Sequence, residues 1–220
     1  MSKGSHLLQK EVSGLVFTNP VGMPYTIKKR RFSLFHCVPK AGFLTLTPPK
    51  EQILSWIQSL EQEKTGGCLL AVNIRTDIVR TFSLVYDFPA FIIIDPDSDN
   101  GIGASDISDT QVLLDELVSL RLCYERYTPF FLRLSHGLTE EELAYLLGSC
   151  QLAGIDGVVV PTPQMVARVR EITLGRLPII GMAGNQEEAL QALDNGASLV
   201  EVATSPIGLK KLVKTLEKRQ

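Results

Sequence analysis

Two short turns in the last third of the chain have the composition of an anion cradle. Leu177-Pro-Ile-Ile-Gly181-Met-Ala183-Gly184 ends one apolar run in small residues, and Leu199-Val-Glu-Val-Ala-Thr204-Ser205-Pro206 ends the next in hydroxyls. If each run is a strand followed by a helix, both turns offer free backbone N–H groups at adjacent helix starts, an arrangement that holds a phosphate. Ser205 at an N-cap with Pro206 at the first helical position also completes a helix start without any ligand. Further chemistry-bearing side chains fall at the ends of other apolar runs: Tyr25, Thr45, Thr47, Asn73, Asp95, Asp97, Ser98, Asn100, Arg133, His136 and Thr162.

The elements that must position these residues read as alternating strands and helices. Eight β-branched runs, at 19–23, 42–47, 68–74, 90–95, 130–135, 157–161, 177–181 and 198–203, are separated by helical segments, the rhythm of parallel βαβ units. Pro48-Pro49 precedes a helix over 51–62, Ser108 or Asp109 is placed to cap one over 111–125, and Thr139-Glu-Glu-Glu142 forms a capping box ahead of 143–152. A first helix is expected over 28–38. With 220 residues and 45% hydrophobic content, the chain fits one (β/α)8 TIM barrel over 1–220, with no linker or repeat to divide it. In such a barrel the chemistry sits at the C-terminal ends of the strands.

Other motifs offer competing chemistry. Asp95-Pro-Asp97-Ser-Asp99-Asn100-Gly101 resembles a calcium loop, but Asn100 stands where the turn needs glycine and Asp106 is too short for a bidentate ligand, so no metal is assigned. Gly101-Ile-Gly103 lacks the third glycine of a dinucleotide fingerprint. His6, His36 and His136 share no metal-ligand spacing, and Lys28-Lys-Arg-Arg31 reads as a solvated face. A net charge of −2 argues against a nucleic-acid or acidic-membrane partner, although a local basic patch remains open. Cys37, Cys68, Cys123 and Cys150 are scattered, which suits reduced, buried thiols. No run is long enough to span a bilayer and no leader is evident, so a cytoplasmic protein is expected.

The order of motifs resembles the dihydroorotate dehydrogenase family of FMN-dependent barrels. Asn19-Pro20-Val21-Gly22, Gly42-Phe-Leu-Thr-Leu-Thr-Pro48 and Ala71-Val72-Asn73-Ile74 resemble the family's first three strands, the last with its flavin-contacting Asn. Phe131-Leu-Arg133-Leu-Ser-His-Gly-Leu138 resembles the strand that carries a flavin-binding Lys. Gly154-Ile-Asp-Gly157, Pro178-Ile-Ile-Gly181 and Gly196-Ala-Ser-Leu-Val200 complete a collinear match. Asp95-Pro-Asp-Ser98-Asp-Asn100 falls in register with the family's Asn-x-Ser-Ser/Cys-Pro-Asn element.

The resemblance implies FMN-dependent oxidation of dihydroorotate or a related small substrate, a step of pyrimidine biosynthesis, in a homodimer. It places Ser98 as the catalytic base, Asn73 and Arg133 on the flavin, Ala183, Gly184, Thr204 and Ser205 on its phosphate, and Asn100 and Thr162 at the substrate. Several residues depart from the pattern. Met23-Pro24-Tyr25 replaces small residues, with Tyr25 able to fill the flavin's volume; Asp95 and Thr162 replace Asn; Arg133 replaces Lys; and the substrate loop between the second and third strands shrinks to 48–67. Lys28 or Lys29 stands near the family's substrate-side Lys. A divergent, non-catalytic barrel that binds a phosphate-bearing ligand or a partner protein is the alternative.

Overall fold

The computed structural model describes residues 8–25, 40–61, 68–96 and 107–219. A short hairpin, β1 (Lys10–Val12) and β2 (Leu15–Phe17), precedes eight barrel strands: β3 (Val21–Tyr25), β4 (Phe43–Leu46), β5 (Leu69–Ile74), β6 (Phe91–Ile94), β7 (Phe130–Arg133), β8 (Gly157–Val160), β9 (Ile179–Ala183) and β10 (Leu199–Val202). Every neighbouring pair among the eight is parallel, and β10 pairs with β3 to close the barrel. The described helices are α1 (Ile53–Glu61), α2 (Ile78–Val85), α3 (Ile107–Arg121), α4 (Glu140–Ala153), α5 (Pro163–Ile172), α6 (Gln186–Asp194) and α7 (Pro206–Glu217). All eight expected strands are present; the expected helix over 28–38 lies outside the described residues.

Local sequence explains most boundaries. Thr139 Oγ1 accepts from the Glu142 N–H at 3.3 Å while Glu142 Oε2 accepts from the Thr139 N–H at 2.7 Å, the expected capping box. Helix α3 begins earlier than expected, so Ser108 and Asp109 lie inside its first turn rather than at a cap, where the Asp109 carboxylate favours the helix dipole. Asn19 is structural: its side chain donates to Lys40 O at 3.0 Å and accepts from the Val21 N–H at 3.0 Å, tying the entry of β3 to that of β4.

Alternation along the strands divides the core into two layers. Outward residues such as Val72, Ile92, Leu132 and Val158 pack against the helices. Inward residues, including Phe43, Ala71, Phe91, Ile93, Phe131, Val159, Ile180 and Leu199, fill the bore. Phe91 meets Phe43 and Phe131 edge to face, with centroids 5.5 Å apart in each pair. Such bulk fits because Gly22 and Gly157 leave room: a Cβ on either would collide with the Phe43 or Phe131 ring.

The hairpin is an element the strand count does not include. Ser13 and Gly14, with φ of 50° and 76°, make its two-residue turn. It stoppers the N-terminal end of the barrel, where fully buried Phe17 meets Phe43 and Phe91 at 5.8 and 5.9 Å. The Ser13 hydroxyl donates to Asp156 O at 3.1 Å. Asp156 then holds the same end together, accepting from Arg121 and from the Phe130 N–H, each at 3.0 Å.

Candidate active site

The inward alternation that fills the bore with apolar side chains continues for one more step, and that step is polar. Thr45 follows Phe43, Asn73 follows Ala71, Asp95 follows Ile93, Arg133 follows Phe131 and Glu201 follows Leu199, each two residues further along its strand or just beyond it. Thr45, Asn73, Asp95 and Glu201 are buried, at 3–5% exposure. The polar layer therefore caps the core at the C-terminal mouth, where a barrel of this kind does its chemistry.

Arg133 organises the layer. Its guanidinium lies 3.5 Å from Asp95 and 3.5 Å from Glu201, and Arg75 adds a second contact to Asp95 at 3.3 Å. Burial pushes the Glu201 carboxyl above its ordinary value; Arg133 and the adjacent Thr45 hydroxyl oppose that rise, and Asp95 adds to it. The Thr45 hydroxyl stops short of hydrogen-bond geometry with that carboxylate, so Thr45 Oγ1 and Glu201 Oε2 both stay without a partner. Asn73 Oδ1 and Arg133 Nε are likewise buried and unsatisfied. Thus four of the six such atoms among the described residues sit in this one layer. Each costs about 1–3 kcal/mol if left dry and unpaired, which sets this polar layer apart from the apolar core beneath it.

The two turns lie side by side, as their sequences suggest. The Ala203 N–H donates to Ala183 O at 2.9 Å, bringing Gly184 next to Thr204 and Ser205. Ser205 caps α7, its Oγ accepting from the Gly208 N–H at 3.2 Å. The Gly184 N–H is not free: it donates to Glu188 Oε2 at 2.7 Å, and Asn185 caps α6 in the same cluster. A carboxylate thus holds the position expected for a phosphate oxygen. Both Gly184 and Glu188 are outside the buried core, so rotation of Glu188 frees the N–H.

Two sequence expectations need correction. Tyr25 does not enter the mouth: Gly22 faces the bore, so alternation turns Met23 and Tyr25 outward, and Tyr25 packs with the outer core while Pro24 takes the inward side. Cys123 is exposed, whereas Cys68 and Cys150 are buried thiols that burial pushes up to about 12. Thr162 caps α5, its hydroxyl accepting from the Met165 N–H at 3.3 Å. His136 and Thr47 are exposed. Ser98, Asn100, Lys28 and Lys29 lie outside the described residues.

The structure brings Asn73 and Arg133 together with Thr45 and Asp95, and adds Glu201, which sequence reasoning passed over as part of a strand. Its signal was an acid between Val200 and Val202, with the alternation that points Leu199 into the bore.

Among the described residues no group of His, Cys, Asp and Glu is placed to hold a metal ion, and no helix is long and apolar enough to cross a membrane. For FMN, the layer carries both hydrogen-bond donors and acceptors at the barrel mouth, and at the phosphate end Glu188 holds the Gly184 N–H that a phosphate would need.

No family model matches the chain. A dihydroorotate dehydrogenase (quinone) of Proteus mirabilis is 25% identical over 196 residues, covering 66% of this chain and 58% of the relative. The corresponding protein of Pectobacterium atrosepticum is 23% identical over 195 residues, with the same coverage. The chain thus spans 58% of the length of these curated relatives. In fold it is similar to dihydroorotate dehydrogenase from Eimeria tenella, with TM-scores of 0.81 for the ferulenol complex and 0.80 for the ligand-free form, at 17% identity in both. These superpositions cover 98% of this chain and 85% and 88% of the respective structures. With the ordered strand motifs and the closed parallel barrel, the chain is similar in sequence to dihydroorotate dehydrogenases and shares their barrel fold.

Proposed function

We propose that the chain is a single-barrel flavoprotein oxidoreductase that holds FMN at the barrel mouth and oxidises dihydroorotate or a related small substrate. The observation that carries this reading is the layer of buried, unsatisfied polar atoms on Thr45, Asn73, Arg133 and Glu201. Two of those residues, Asn73 and Arg133, are the ones the family resemblance assigns to the flavin. In this reading Ala183, Gly184, Thr204 and Ser205 hold the phosphate, and Asn100 and Thr162 contact the substrate. FMN, when bound, supplies the two-electron acceptor. Ser98 accepts the substrate proton, and because a serine alone is a weak base it needs a relay and exclusion of water. A homodimer and a cytoplasmic location belong to the same proposal.

A second reading, a barrel that binds a phosphate-bearing ligand or partner protein without redox chemistry, is favoured by one specific arrangement. The charge of Arg133 is already shared between Asp95 and Glu201, so a ligand meets a neutralised cluster rather than a free cation. Visible absorption of the purified protein before and after FMN addition, with equilibrium dialysis to count bound flavin, separates the readings. Stoichiometric flavin that dihydroorotate bleaches supports the oxidoreductase; failure to retain added FMN excludes it.

A further inference from the structure

A second candidate site lies at the stoppered end of the barrel, away from the mouth. There an open cleft of about 930 Å3 runs beside the N-terminal ends of β9 and β10, within the range of small-molecule sites. Lys10 of the hairpin, Arg170 near the end of α5 and Arg176 in the following loop line it. Every other described arginine has a partner: Arg75, Arg80, Arg121, Arg133, Arg168 and Arg219 pair with carboxylates, and Arg126 donates to backbone carbonyls. Among the described residues Arg170 and Arg176 have neither kind of partner, and they share one cleft. The cleft's single carboxylate, Glu171, is taken by Arg168 at 2.6 Å. In a chain of net charge −2, three cations line this one cleft with no carboxylate to neutralise them among the described residues, which gives it a locally positive field.

The backbone around these cations is constrained. Leu174 and Gly175 both have positive φ, 53° and 68°, an unfavourable conformation for leucine. Gly196 has φ of 104°, and a Cβ there would collide with the Arg170 side chain. Glycine at that position therefore lets the Arg170 stem lie against the backbone, aligning it along the cleft.

We propose that this cleft binds a small ligand bearing phosphate groups with at least two negative charges. Guanidinium forks match phosphate oxygens in bidentate geometry, and the cation count asks for a compact polyanion. The site is independent of the flavin reading, because it shares no residue with the mouth.

The test is titration of the isotopically labelled full chain with inorganic pyrophosphate at low salt, followed by amide shifts in NMR. Saturable shifts at Gly175, Arg176, Gly196 and Ser198, weakened about tenfold or more in the double variant Arg170→Ala/Arg176→Ala, are the expected result. Both arginines are exposed, so the variant keeps the fold, which its unchanged remaining spectrum checks. Shifts confined to Gly184, Thr204 and Ser205, affinity unchanged in the double variant, or no saturable shift would each overturn the proposal.

Discussion

Arg133 and Glu201 meet at 3.5 Å although their strands, β7 and β10, are separated in the barrel by β8 and β9. Their contact is a chord across the mouth rather than a link between neighbours. It places a charge pair where the strands' own hydrogen bonds impose no such contact, and it leaves Arg133 Nε and Glu201 Oε2 unsatisfied on the same chord. A buried pair repays its desolvation only when its remaining donors and acceptors are met, so these two atoms are where the pair stabilises the fold least.

Removing Arg133 strands both acids. Arg133→Ala leaves Glu201 without its ion-pair partner and Asp95 with only Arg75, itself half-exposed. The expected loss is about 3 kcal/mol in urea unfolding, and the double variant Arg133→Met/Glu201→Met should recover part of it. A loss under about 0.5 kcal/mol for Arg133→Ala, typical of a surface change, would mean the pair is solvated.

Tyr25→Ala should leave FMN affinity unchanged, because the side chain packs on the outer layer and not in the mouth. The same variant should lose about 1–2 kcal/mol of stability through lost apolar contact. A several-fold gain in flavin affinity by dialysis would return Tyr25 to the ring's volume.

The barrel was legible because each strand is a β-branched run closed by small or hydroxyl residues, a signal that needs no tertiary information. Thr139 and Ser205 were legible as caps for the same reason. The direction of Tyr25 was not, since it depends on a register fixed by distant pairings of Gly22 with Phe43 and Glu201. Gly184 was readable as an open N–H, but nothing local announced that Glu188 would turn back four residues to occupy it. The hairpin escaped notice because its strands are only three residues each, although Ser13-Gly14 carries a turn signal.

The glycines beneath the aromatic bore should be intolerant of a methyl group. In Gly157→Ala the new Cβ would lie 2.5 Å from the Phe131 ring and 2.6 Å from Pro178 O. One of these neighbours is backbone and cannot rotate aside. A destabilisation of about 1–3 kcal/mol is expected, read from the urea midpoint, whereas Gly148→Ala, with nothing within 4 Å of its Cβ, should be neutral or slightly stabilising.

Glu201 gives the fold a pH dependence of defined sign. Burial raises its folded-state pKa above the unfolded value, so the native state holds the proton more tightly. That contribution is fully present below the unfolded pKa and is lost as pH rises through the folded one. Wild type should therefore lose stability relative to Glu201→Gln as pH rises from about 4.5, the ordinary carboxyl value, and the two should converge below it. Parallel melting curves across that range would show that Arg133 offsets the burial in full.

Glu188 decides how readily the corner between β9 and β10 accepts an anion. Its carboxylate accepts from the Gly184 N–H at 2.7 Å and from the Asn185 side chain at 2.7 Å, so a phosphate entering there meets both a competitor for the donor and a like charge. Glu188→Ala removes both while leaving the Asn185 cap, whose Oδ1 accepts from the backbone N–H of residue 188 at 3.0 Å. The variant should bind FMN about three- to tenfold more tightly, the scale of one exposed charge interaction at low ionic strength, and the gain should shrink as salt is raised. Glu188→Gln keeps the acceptor but drops the charge, so it should fall between wild type and alanine. If both variants bind FMN no better than wild type, Gly184 is not a phosphate donor and the corner is only a pair of well-capped helices.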